Sequence, residues 1–216
     1  MIYHNGDKYD GYWLEGTYHG KGKLTFATGE TFTGDFKFGR RVGKGVHIKF
    51  SEKRDTNGER DVIYHYEGDY ADDVRNGYGV LKEIRPPLDN EGERYIEFFG
   101  HWENDHFNGK GRLLVYESKQ KRIKFEEHDG AFKDGLRDGL GKSLKLKEAD
   151  MYGDDEEFRK EILAADSMDY LDFIGDFYND RPVYQSGVLK SVKIAPPQAM
   201  PTSILKFDPI ATRRRK

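Results

Sequence analysis

There is no cysteine among the 216 residues of this chain. That excludes disulfides, thiolate metal sites and a cysteine nucleophile, and it fits a reducing compartment. Apolar residues are scarce: 36% of the chain is hydrophobic against 35% charged, and the mean hydropathy is −0.89. No apolar run approaches the ~20 residues that a membrane-spanning helix requires. The opening residues, Met1-Ile2-Tyr3-His4-Asn5-Gly6, lack the charged head and apolar core of a secretory signal. An excess of positive charge is missing too. The formal net charge is −3, which gives no general case for nucleic acid.

What the chain does have is rings and glycines. Aromatic residues make up 14% of it, too many for a disordered chain. Five times a glycine stands between two rings, and a Gly-x-Gly pair closes the unit. The copies are Tyr9-x-Gly11-x-Trp13…Gly20-x-Gly22, Phe32-x-Gly34-x-Phe36…Gly43-x-Gly45, Tyr66-x-Gly68-x-Tyr70…Gly77-x-Gly79, Phe98-x-Gly100-x-Trp102…Gly109-x-Gly111 and His128-x-Gly130-x-Phe132…Gly139-x-Gly141. Such a repeat sets the architecture before any local reading does. It also reconciles few apolar residues with many rings, because each unit buries a few large side chains against its neighbours.

Residues two apart in a strand share a face, so Tyr9, Gly11 and Trp13 point the same way. The bare glycine admits a ring or backbone at close range. The polar segment before Gly20 reads as a hairpin connection, and the chain from Gly20 to Phe26 as the return strand. Leu24, His47, Leu81, Leu113 and Ser143 hold the equivalent place on the five return strands. Each repeat is therefore a β-hairpin, and the hairpins lie side by side in a long, twisted antiparallel sheet. At ~4.8 Å per strand, five hairpins make a rod of roughly 50 Å. Charged, turn-rich insertions at 51–62, 86–94 and 118–123 are expected to be loops or hairpin extensions.

The pattern resembles the MORN repeat (membrane occupation and recognition nexus). Residues 9–22, from Tyr9-Asp10-Gly11-Tyr12-Trp13 to Gly20-Lys21-Gly22, carry it most fully. The resemblance implies a mainly β fold, an elongated single-layer antiparallel meander of hairpins with an aromatic groove along one face. It also implies several uses, among them cytoskeletal and ciliary scaffolds, junctional proteins and accessory regions of lipid kinases and a methyltransferase. On this reading the groove rings Tyr9, Trp13, Phe36, Tyr70, Trp102 and Phe132 contact a partner segment.

The array covers 1–146, and the composition then changes. Residues 147–172 read as an acidic helical cap, with Asp154 at its start and Phe158, Ile162 and Ala165 on one side. Phe173-Ile174-Gly175-Asp176-Phe177 repeats the motif once more, with Gln185 where a glycine is expected. That makes 173–190 either a degenerate sixth hairpin or an unrelated strand pair. Residues 191–216 read as an extended, proline-containing tail. Its apolar Ile204, Leu205, Phe207 and Ile210 suit docking on a partner, and its basic end, Arg213, Arg214, Arg215 and Lys216, suits an acidic surface.

No catalytic, cofactor or metal site is expected. His101 and His106 lack the spacing of a helical zinc motif. The acidic stretch lacks a glycine-centred calcium loop, and the glycines open no phosphate-binding helix. The leading expectation is thus a structural adaptor in a cytoskeletal assembly, in the cytoplasm and most plausibly in a ciliary or flagellar axoneme, with self-association open. Two alternatives stand beside it: a module on anionic membrane lipid, carried by Arg213–Lys216, and a non-catalytic regulatory subunit of an enzyme.

Overall fold

The structure is a computed structural model and describes residues 1–85, 94–117, 123–146 and 168–194. The described residues form one antiparallel sheet of 13 strands in simple meander order. The strands are β1 (Lys8–Leu14), β2 (Thr17–Thr25), β3 (Thr31–Lys37), β4 (Arg40–Arg54), β5 (Arg60–Ala71), β6 (Val74–Arg85), β7 (Arg94–Glu103), β8 (His106–Glu117), β9 (Ile123–Lys133), β10 (Leu136–Leu146), β11 (Met168–Tyr178), β12 (Arg181–Pro182) and β13 (Val188–Ile194). Each odd strand up to β11 turns into the next even one through two residues, both at positive φ. Glu15-Gly16, Phe38-Gly39 and Asp134-Gly135 are three of these turns, and Asp72-Asp73, Asn104-Asp105 and Asn179-Asp180 are the others. Two left-handed residues give a connection whose twist matches that of the flanking strands.

Register follows the glycines. Gly11, Gly22, Gly34, Gly45, Gly68, Gly79, Gly100, Gly111, Gly130, Gly141 and Gly175 stand opposite one another from strand to strand, in one unbroken row. Beside it runs a second row, Tyr9–Leu24–Phe32–His47–Tyr66–Leu81–Phe98–Leu113–His128–Ser143–Phe173. The two glycines of each Gly-x-Gly pair do different work. The first, Gly77 for example, has φ +112 and sits where the hairpin register slips, as a bulge requires. The second lies under a ring.

The sixth hairpin shows what a missing glycine does. Gln185 replaces the bulge glycine, and the return strand breaks there into β12, a 3-10 turn at Tyr184–Ser186, and β13. The 3-10 turn is tied back by Asp176 N–H to Ser186 Oγ at 3.1 Å. Gly187 still reaches the glycine row, since a Cβ on Gly175 would lie 2.6 Å from its Cα. Strand β11 begins at Met168, so 168–172 of the stretch read as a helical cap are strand. The expected helix at 154–165 lies outside the described residues, as do the apolar and basic residues of the tail. The insertion at 51–62 is a hairpin extension, with β4 and β5 paired out to Arg54 and Arg60.

A side chain on the glycine row has no space. A Cβ at Gly68 would meet both Gly79 Cα and Tyr66 Oη at 2.5 Å. Gly39 is different: nothing lies within 4 Å, and only its φ of +83 favours glycine. Gly68→Val is therefore expected to destabilise the protein by about 3 kcal/mol or more through overpacking. Gly39→Ala is expected to cost about 1 kcal/mol through backbone strain. Denaturant midpoints of the two variants check the order.

Candidate functional site: the ladder face and its notches

Each first ring of a repeat lies flat across a facing glycine pair, Tyr66 over Gly68 and Gly79 for example. The second ring stands edge-on to it and to the first ring of the preceding repeat. The result is a continuous zigzag: Trp13–Tyr9–Phe36–Phe32–Tyr70–Tyr66–Trp102–Phe98–Phe132–His128–Phe177–Phe173. Every neighbouring pair has centroids 4.6–5.3 Å apart and planes at 82–90°. Edge-to-face contacts of this kind contribute about 0.5–1.5 kcal/mol each beyond area burial.

A single-layer sheet leaves such rings open on one side, and a further residue covers them. It stands five positions after the second ring: Tyr18, Arg41, Arg75, Phe107 and Arg137, with Pro182 at the same offset in the sixth hairpin. Tyr18 stacks on Tyr9 at 4.0 Å and Phe107 on Phe98 at 3.8 Å. Arg75 lies 4.1 Å from the Trp102 ring centroid and 5.6 Å from that of Tyr66. Arg41 covers Phe32 and Tyr70 at 5.5 and 5.3 Å.

The arginines are fixed by the turn of the next hairpin. Arg75 donates its backbone N–H and Nε to Asp105 Oδ1 at 2.9 and 2.8 Å, and Nη2 to the Asp105 carbonyl at 2.8 Å. Arg41 holds Asp73, and Arg137 holds Asp180, through the same three bonds. Desolvation pushes the Asp105 carboxyl up, but the Arg75 bonds and charge outweigh it and hold the group below its ordinary value. Where the covering residue is aromatic, the next turn carries glycine instead. Gly39 N–H donates to Tyr18 O, and Gly135 N–H to Phe107 O, both at 2.9 Å. Cover and turn thus match within the chain: arginine with aspartate, ring with glycine.

These contacts decide the place of the expected groove rings. Tyr9, Phe36, Tyr70, Trp102 and Phe132 are all at most 5% exposed, whereas Trp13 is 38% exposed. Five of the six are therefore interior to the ladder, and of these Trp102 also reaches the wall of an opening on the face. The clamps were missed in the sequence, although the constant offset of Arg41, Arg75 and Arg137 from the preceding ring is visible there.

Among the described residues, two notches open on the ladder face. One, of about 300 Å³, is lined by Leu81, Glu83, Trp102 and Phe107 and flanked by the Arg75–Asp105 clamp. The other, of about 160 Å³, is lined by Ser143, Lys145, Phe177 and Pro182 beside the Arg137–Asp180 clamp. They occupy equivalent places, on hairpins 3 and 4 and on hairpins 5 and 6. At the Arg41–Asp73 clamp the equivalent positions hold His47, which contacts Glu30, and Lys49, which lies over the Tyr64 ring. Among the described residues no cluster of three metal-ligating side chains occurs.

His128 replaces an aromatic in the ladder. It is fully buried, and neither ring nitrogen has a partner at hydrogen-bond geometry. Burial pushes its pKa from 6.5 down to about 4, and the Ala131 backbone, Asp129 and Asp180 offset only part of this. The fold therefore keeps the ring neutral, while the unfolded chain takes up a proton below about pH 6.5. Stability is full above that pH and falls as the pH drops to about 4, by about 3 kcal/mol for this residue alone. Burial lowers the His47 pKa as well, against the pull of Glu30. The measurement is thus the difference between the chain and His128→Phe, whose stability is expected to fall less between pH 6.5 and 4. For the clamp, Asp105→Gly is expected to cost about 2 kcal/mol. Adding Arg75→Phe, which recreates the Phe107–Gly135 arrangement, is expected to recover part of that loss in a double-mutant cycle.

The MORN repeat model matches residues 9–31, 32–49, 66–82, 98–114 and 128–144. The chain is 33% identical over 109 residues to Alsin of Rattus norvegicus, covering 50% of this chain and 6% of Alsin. Alsin of Homo sapiens matches to the same extent. MORN repeat-containing protein 3 of Xenopus laevis is 36% identical over 77 residues, 35% of this chain and 30% of that protein. The chain thus spans only a small part of the length of the relatives it matches. Five matched repeats, one unbroken glycine row and one ring ladder agree: the chain belongs to the MORN-repeat family.

Proposed function

We propose that the protein is a non-enzymatic adaptor that holds a partner segment along its ladder face. MORN repeats generally mediate protein or membrane-lipid interactions and are generally non-catalytic. The observation that carries the protein-binding reading is the pair of equivalent notches on a rigid ladder. The rings beneath them are consumed in packing. The notches combine apolar side chains, such as Leu81, Phe107, Phe177 and Leu189, with charged ones, and the clamp arginines Arg75 and Arg137 in their linings are paired with aspartate. A face of that kind suits apolar anchors more than phospholipid headgroups. A cytoskeletal assembly, and the ciliary or flagellar axoneme in particular, is the setting we assign to this adaptor.

The experiment is detergent extraction of cells carrying the tagged chain. Retention in the insoluble cytoskeleton is expected. Leu189→Asp changes an exposed residue that lines the second notch. It is expected to release most of the protein while leaving its unfolding midpoint unchanged. Full release of the unaltered chain, with salt-sensitive binding to phosphoinositide vesicles, is the outcome that puts the lipid reading first.

A further inference from the structure

Strand β1 differs from the strands inside the array at its outer edge. Tyr9 turns its backbone outward, where its N–H and carbonyl meet Met1 at 2.9 and 2.8 Å. Residues two apart in an antiparallel strand face the same neighbour, so Gly11 and Trp13 also turn their N–H and carbonyl groups outward. Among the described residues β1 ends the sheet, and no strand lies beside those groups. The side chains are open there as well. Tyr12 is 72% exposed and Leu14 43%, and the exposed Met1 and Ile2 lie on the same edge. Trp13 packs on Tyr9 and Tyr18 of its own hairpin and is 38% exposed. The other five second rings also pack on the hairpin before them and are at most 5% exposed. Free edges are ordinarily blunted by lysine, proline or a bulge. The stretch Gly11-Tyr12-Trp13-Leu14 carries no charge and no proline.

We propose that this edge is an interface between two copies of the chain, joined by antiparallel pairing of residues 11–14 about a two-fold axis at Tyr12. Within the chain, each later second ring stands opposite a glycine of the preceding strand. Phe36 faces Gly20, Tyr70 faces Gly43, Trp102 faces Gly77, Phe132 faces Gly109 and Phe177 faces Gly139. Pairing about Tyr12 sets Trp13 of each copy opposite Gly11 of the other, which supplies the same relation twice.

The neighbouring registers do not fit. Centred on Gly11, the pairing sets Trp13 opposite Tyr9, whose outward groups already hold Met1. Centred on Trp13, it sets Gly11 opposite Glu15, which lies in the turn at positive φ. The register centred on Tyr12 pairs all the outward groups of Gly11 and Trp13 in both copies. It places Asp10 opposite Leu14, so like charges do not meet across the junction. Pairing stops there, because Met1 takes the edge at Tyr9 and the Glu15-Gly16 turn carries the other chain away. A two-fold axis closes the assembly at two copies. The axis relates antiparallel strands of one sheet and is perpendicular to it, so both ladder faces point the same way. The notches of both copies then open on one side.

The test exploits the absence of cysteine from the chain. On the axis the two Tyr12 Cα atoms form a non-hydrogen-bonded pair about 4.5 Å apart, within the range that a disulfide bridges. The chain carrying Tyr12→Cys is expected to give a disulfide-linked dimer with oxidised glutathione. Tyr178→Cys, at an exposed position on β11, is expected to stay unlinked under the same conditions. In sedimentation equilibrium the mass of the unaltered chain is expected to rise with concentration from 25.0 kDa towards twice that value. Leu14→Lys places a charge on an exposed edge position and is expected to raise the dimer Kd at least ten-fold with an unchanged circular dichroism spectrum. A monomer at every concentration overturns the proposal and leaves the edge to a foreign strand. Species larger than a dimer, a dimer that Tyr12→Cys does not link, or one that Leu14→Lys does not weaken overturns it as well.

Discussion

A ring lying flat across two facing glycines is the contact on which the rest of this structure depends. Phe98 over Gly100 and Gly111 shows why. The ring approaches the sheet so closely that any Cβ on those glycines would overlap it or the opposite backbone. That closeness lets a single sheet bury large side chains without a second layer, which solves the problem of a chain poor in apolar residues. It also fixes register. A slip of one residue would put a side chain under a ring, so each strand is held to glycine-against-glycine pairing more firmly than alternation alone would hold it.

The ladder then needs a cover, and the chain uses two. Tyr18 and Phe107 close the stack with another ring, whereas Arg41, Arg75 and Arg137 close it with a guanidinium. A guanidinium stacked on rings is buried on its faces but still needs hydrogen-bond partners in its plane. The next turn supplies them from an aspartate held at positive φ, a conformation that ordinarily suits glycine. Where no arginine needs a partner, at Gly39 and Gly135, the turn reverts to glycine. The clamps therefore couple each hairpin to its neighbour, and stability is a sum of unit and interface terms, as in other linear repeat arrays.

This arrangement separates structure from recognition. The rings that a sequence reading assigns to a partner are nearly all consumed by the ladder. On the reading proposed above, recognition falls to the notches beside the Arg75–Asp105 and Arg137–Asp180 clamps. Departures from the repeat, rather than the repeat itself, give the face its individual shape. The sixth hairpin makes the same point, because Gln185 in place of glycine breaks a strand and brings Tyr184 and Leu189 to the second notch.

Spacing alone determined the hairpins, their order, the antiparallel meander and the row Leu24, His47, Leu81, Leu113 and Ser143, because a period-two strand and a glycine-centred motif have one mutual solution. From Phe173, Gly175 and Phe177 the sequence left open either a degenerate sixth hairpin or an unrelated strand pair. The closeness of ring to glycine pair, the covering residues and the arginine–aspartate clamps were decided only in three dimensions. Arg75 and Asp105 are 30 residues apart and meet because the turn of one hairpin lies beside the return strand of the one before. Sequence periodicity reports which residues share a face, but it does not report which of them neighbouring side chains cover. For that reason Tyr9, Phe36, Tyr70, Trp102 and Phe132 read as a surface in the sequence and form a core in the structure.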